Sequence, residues 1–151
     1  SGDGKFYPEN NITRAEFSKM LVDTMEIDTN TGAQQQFTDV DNSAWYYGYV
    51  MALYKQGIMS GYEDGTFCPD NSITRQEMAA VIYRVLQSRG IPMDDEAKFT
   101  DISEVSEYAR TAVVKLGGAK ILSGFDGYFR PADSLTRAEA AVVMLKTYNI
   151  L

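Results

Sequence analysis

The chain has 151 residues, 44% of them apolar and 12% aromatic, and a formal net charge of −7. That composition supports a folded core, but it offers no broad basic face to nucleic-acid phosphates or anionic lipid. Histidine is absent, which removes the commonest general base and metal ligand, and the single cysteine, Cys68, excludes an internal disulfide and a cysteine-rich zinc site. No apolar run reaches the ~18 residues of a membrane span. The opening SGDGKFYP is not a signal peptide, so a secreted parent protein would carry its signal upstream.

In chain order, the first segment reads DGKFYPENNITRAE, residues 3–16, and leads into helical periodicity at Phe17, Met20, Leu21 and Thr24. A polar stretch at 29–36, TNTGAQQQ, reads as an exposed linker. Next comes FTDVDNSAWYYGYVMALYKQGIMSG, in which a helix is expected over about 44–56 with Tyr46, Tyr49, Val50 and Leu53 on one stripe. DGTFCPDNSITRQE, rich in turn formers, precedes a second periodic run at Met78, Val81, Ile82 and Val85, with short extended pieces expected near Phe67. A second exposed linker is expected at 88–98. FTDISEVSEYARTAVVKLGGAKILSG follows with a helix at about 106–116, and then DGYFRPADSLTRAE with a run at Ala140, Val143, Met144 and Thr147.

The chain is therefore a repeat. Thr13, Thr74 and Thr136 fall 61 and 62 residues apart, and each Asp-Gly glycine lies ten residues before the following Arg. A Phe-Thr-Asp unit alternates with an Asp-Gly…Thr-Arg unit, and the chain opens on the second of these. Repeats of this size bury little surface alone and are expected to share a core.

Thr followed three residues later by Glu, before an apolar run, is the capping-box pattern. It assigns helix-capping roles to Thr13 and Glu16, Thr74 and Glu77, and Thr136 and Glu139. Capping does not account for Arg14, Arg75 and Arg137, since a cation at the first helical position faces the positive end of the macrodipole. Two readings compete: an ion pair with a neighbouring carboxylate, or an anion site in which helix amides and the guanidinium converge on a ligand. Asp39 and Asp101 read first as caps or turn residues. Asp3, Asp64 and Asp126 read as turn formers, without the alternating ligands of a calcium loop. Trp45 offers a face for sugar stacking, with core packing as its rival. Cys68 corresponds to Tyr7 and Arg130, a variable position expected to be exposed. No catalytic constellation and no cofactor motif is visible.

The combination of Phe-Thr-Asp, an aromatic-led helix, Gly-Tyr-x-Asp-Gly-x-Phe-x-Pro and Thr-Arg-x-Glu resembles the S-layer homology module, over nearly the whole chain. The resemblance implies an all-α fold of helix–loop–helix repeats in a pseudo-threefold assembly with a central helical core. It divides the chain into the second half of a first module (1–28, its first half absent), a second module (37–90) and a third (99–151). It implies a non-enzymatic anchor on the bacterial cell surface that binds cell-wall polysaccharide, often pyruvylated, in grooves between modules, with neither nucleic-acid binding nor membrane insertion. Carried over residue by residue, the binding set is Arg14, Arg75 and Arg137, with Ser60, Gly61, Ser123, Gly124, Asp39, Trp45 and Asp101 as weaker transfers. The alternative is a structural or protein–protein module without a glycan, with a partner chain completing the half-module. The third module departs from the second: Lys120 stands where Gly57 does, and its loop is one residue shorter. Unequal sites are expected, the better ones using Arg14 and Arg75.

Overall fold

A computed structural model describes residues 3–151; Ser1 and Gly2, with which the expected segment 1–28 begins, lie outside the described residues. The fold is all-α, with α1 (Arg14–Met25), α2 (Tyr47–Lys55), α3 (Arg75–Ser88), α4 (Glu107–Gly118) and α5 (Arg137–Asn149), and a short 3-10 turn at Ile102–Glu104. Among the described residues no helix is long and apolar enough to cross a membrane.

The helices that follow Thr-Arg start where the sequence places them. Thr13, Thr74 and Thr136 sit in extended backbone and accept from the amides of Glu16, Glu77 and Glu139, whose carboxylates return a bond to the Thr amide. These are complete capping boxes, each worth about 1 kcal/mol to its helix. Of the two helices of the Phe-Thr-Asp units, α2 starts later than expected, at Tyr47, while α4 starts at Glu107 as expected, and neither has a side-chain cap. Residues 43–46 form turns, leaving Trp45 outside the helix and 57% exposed.

Contacts divide the chain into two compact units, Thr13–Ser72 and Ser1–Ile12 with Ile73–Leu151. In the first, α1 packs on α2, and Phe17, Leu21, Val50, Leu53 and Phe67 are almost fully buried. On α1 the buried face is set by Phe17, Ser18, Leu21, Val22 and Met25, while Met20 and Thr24 are only half-buried. In the second, α3 packs on α4, with Met78, Ile82, Leu86, Val113 and Leu116 buried.

The second unit is closed by backbone pairing. The Ile12 amide donates to Leu135 O (3.0 Å), Leu135 to Ile73 O (2.9 Å) and Ile73 to Ile12 O (3.1 Å), a head-to-tail ring of three wholly buried residues. Pairing occurs here as isolated bridges, and the extended pieces expected near Phe67 do not form. The linker at 88–98 is also less free than its composition suggests. Ser88 ends α3, and the Ala97 amide donates to Val114 O at 2.9 Å. This close approach needs Gly118, where a Cβ would lie 2.2 Å from Asp95 O.

Lys120 follows the end of α4 in the left-handed region (φ 61°), with Schellman bonds from Lys120 N to Gly117 O and Ile121 N to Leu116 O. Gly57 takes the same place after α2 (φ 71°) at no steric cost. Left-handed backbone costs a residue with a Cβ about 1–2 kcal/mol, partly offset by the extra unfolded-state freedom of glycine. Lys120→Gly is expected to raise stability by about 0.5–1 kcal/mol in urea unfolding; a loss would show that the lysine side chain makes a stabilising contact.

Candidate functional site

Each Thr-Arg arginine reaches into the loop of another repeat. In the first unit, Arg14 Nε donates to Phe67 O at 2.8 Å, and its guanidinium lies over the Tyr62 and Phe67 rings, 4.7 and 4.8 Å from the centroids. In the second, Arg75 Nε donates to Phe129 O at 2.9 Å and Arg137 Nε to Phe6 O at 2.8 Å, each guanidinium resting over the ring of the phenylalanine it bonds. The phenylalanine of Gly-x-Phe-x-Pro is thus the arginine's seat, a role the sequence reading missed although the residue recurs in all three repeats.

The helix amides are spent in the same contacts. Arg14 N donates to Asn71 O and Ala15 N to Pro69 O; Arg75 N to Asp133 O and Gln76 N to Pro131 O; Arg137 N to Asn10 O and Ala138 N to Pro8 O, all between 2.8 and 3.1 Å. With the next amide held by the capping Thr, the first-turn donors expected to converge on a ligand anion are occupied by protein carbonyls. The physical reason is that loop carbonyls from another repeat supply the negative partner the helix end needs.

Arg75 is the most heavily engaged. It is 4% exposed, pairs through Nη1 with Glu139, donates from Nη2 to Ser123 O at 3.1 Å, and carries the Phe125 ring 5.3 Å away. Burial pulls the guanidinium down from its ordinary pKa, opposed by the charge of Glu139. Glu139, read as a cap, therefore caps α5 and pairs with Arg75 at once.

Asp39 and Asp101 lie in turns, one of the two roles expected of them, and neither side chain caps a helix. Asp39 accepts from the Phe67 and Cys68 amides, and Asp101 from those of Phe129 and Arg130, all at 2.8 Å and at the same separations of 28 and 29 residues. Burial acts to raise the Asp101 carboxyl, but the two amides outweigh it and hold the group below its usual range. These bonds brace Tyr7's counterparts Cys68 and Arg130, all three left-handed with φ 51°, 57° and 63°. A residue before proline normally avoids that region, so sequence gave no warning. Gly61 and Gly124 serve the same loops: a Cβ would lie 2.5 Å from Phe37 Cε1 at Gly61, or 2.5 Å from Tyr128 O at Gly124. Ser60 and Ser123 are exposed beside them. Trp45 forms an edge-to-face pair with Tyr46 (5.3 Å) and a tilted one with Tyr49 (6.5 Å), an exposed aromatic surface on the first unit.

Charge separates the concave surfaces. The depressions at Asp39 and at Asp101 are lined by Asp39 and Asp41, and by Asp101, Glu104, Asp126 and Asp133 against Arg130 alone. Another, of about 310 Å³, lies in the second unit beside Arg75. Its walls are Met78, Ile121, Leu122, Phe125, Leu135, Ala138, Val142 and Val143, and its charged residues are Arg75, Lys146 and Glu139. That makes it apolar and net positive in a chain of charge −7. Among the described residues no cluster of three metal-ligating side chains occurs.

Fold and site together define a tandem helical module whose capped helices are tied by arginine to the loops of neighbouring repeats. A family model, the S-layer homology domain, matches residues 1–18, 36–79 and 98–141, and the chain belongs to that family. A cellulosome-anchoring protein of Acetivibrio thermocellus is 34% identical over 147 residues, covering 93% of this chain and 33% of that protein. An endoglucanase of Bacillus sp. (strain KSM-635) is 31% identical over 143 residues, 92% of this chain and 15% of the enzyme. The surface-layer 125 kDa protein of Lysinibacillus sphaericus is 27% identical over 149 residues, 96% of this chain and 12% of that protein. The chain thus spans a third or less of the length of these relatives, which carry cell-surface, anchoring and enzyme names.

Removing the Arg75 side chain strands the buried Phe129 carbonyl and unpairs Glu139. Arg75→Ala is expected to cost about 2–4 kcal/mol, read as a lowered melting temperature; an unchanged melting temperature would contradict the structural tie.

Proposed function

We propose that this chain is a non-catalytic module that anchors its parent protein to the bacterial cell wall by binding an acidic wall polysaccharide. The observation that carries the reading is the Arg75 cavity. A pyruvyl ketal presents a carboxylate and a methyl group on one carbon, and an apolar pocket with cations at its edge suits both. The exposed Trp45 adds an aromatic face of the kind that stacks on the apolar side of a pyranose. The name of the cellulosome-anchoring relative supports an anchoring role, and the small share of the endoglucanase that matches supports a non-catalytic one. Sedimentation with purified cell walls, before and after extraction of the secondary polymer, is expected to show binding only to intact walls; equal binding to both preparations would overturn the reading.

One observation favours a second reading, a protein contact on α5. Leu145 and Tyr148 are 61% and 58% exposed, whereas Val22 and Met25, at the matching positions of α1 beneath α2, are each 3% exposed. The outer face of α5 suits an amphipathic helix of the α2 kind, such as a Phe-Thr-Asp unit on the same polypeptide or a partner would supply. A peptide spanning residues 37–59 is expected to bind the chain one-to-one in calorimetry, and Leu145→Glu to abolish binding; no heat with either protein would contradict it.

A further inference from the structure

We infer that Lys146 is the cation that contacts ligand in the Arg75 cavity and sets its demand for an anion, with Arg75 a positioning residue beneath it. The inference rests on the saccharide reading above and assigns its chemistry to a different side chain from the Thr-Arg arginine.

Two observations lead to it. Arg75 is 4% exposed, and its guanidinium serves Phe129 O, Ser123 O and Glu139, so moving it toward a ligand would break bonds that hold the loop. The first-turn amides of α3 are likewise taken by Asp133 O and Pro131 O. Lys146, by contrast, lines the same cavity from the last turn of α5, is solvent-exposed, and has no ion-pair or hydrogen-bond partner among the described residues. An ammonium on a four-carbon stem can follow a carboxylate at the cavity edge while Ile121, Leu122 and Val142 line the apolar wall. Lys146 near the end of α5 also faces the favourable pole of the helix dipole, so it is tolerated without a partner.

The position differs between repeats. Counting from the Thr-Arg pair, Lys146 corresponds to Asp23 on α1, which is ion-paired with Lys19, and to Arg84 on α3. A selectivity resting on this register therefore belongs to this cavity and is not a uniform property of the repeat.

The test uses the full chain and two probes, a methyl glycoside bearing a pyruvyl ketal and the same glycoside as its neutral methyl ester, titrated by calorimetry. The wild type is expected to prefer the acid about tenfold or more. Lys146→Gln is expected to lose that preference with an unchanged melting temperature, and Lys146→Arg to restore it. Acid preference surviving intact in Lys146→Gln would overturn the inference while leaving the saccharide reading in place. A wild type that binds neither probe would overturn both.

Discussion

The structure depends on what happens at the amino end of three helices. A helix start leaves amides without intrahelical partners and carries the positive end of the macrodipole. Here Thr satisfies one amide, and the carbonyls of another repeat's loop satisfy the two before it. Those carbonyls also explain how an arginine can occupy the first helical position. It lies among acceptors, with its Nε on a phenylalanine carbonyl and its plane on aromatic rings.

Everything around the site follows from presenting those carbonyls correctly. The loop that offers them turns through a left-handed residue at Tyr7, Cys68 and Arg130. Asp39 and Asp101 hold two of these turns by accepting two amides each, and Gly61 and Gly124 let the Phe-Thr-Asp segment close against them. The ring of Ile12, Ile73 and Leu135 then fixes the extended lead-ins of the second unit. In that unit the arrangement leaves an apolar, positively edged cavity beside a guanidinium already committed to the protein.

Much of this was legible in the sequence. The helices after Thr-Arg follow from Thr, Glu and the apolar period, because capping and amphipathicity are local. The destination of each arginine was not legible. Its acceptor is a backbone carbonyl 53 or 54 residues away for Arg14 and Arg75, and a carbonyl carries no side-chain signature. The recurrent phenylalanine and the constant offset from Asp39 and Asp101 to their loops were signals that went unused. The start of α2 lies past the expected one because an apolar stripe continues through the uncapped turn at Trp45, whereas α4 starts where its period begins. Lys146 was invisible because its register carries Asp, Arg and Lys in the three repeats, and only the cavity gives the last of these a meaning.

The central claim is that an acidic wall saccharide seats beside, and not on, the buried Arg75, in the cavity edged by Lys146. The most direct measurement is a titration of the isotopically labelled chain with purified wall polysaccharide, followed by amide and lysine side-chain NMR shifts. The account predicts saturable shifts at Ser123, Phe125, Val142 and Lys146, with the Arg75 Nε signal still bonded to Phe129. Shifts confined to other surfaces, or release of the Arg75 Nε from its carbonyl on binding, would contradict it.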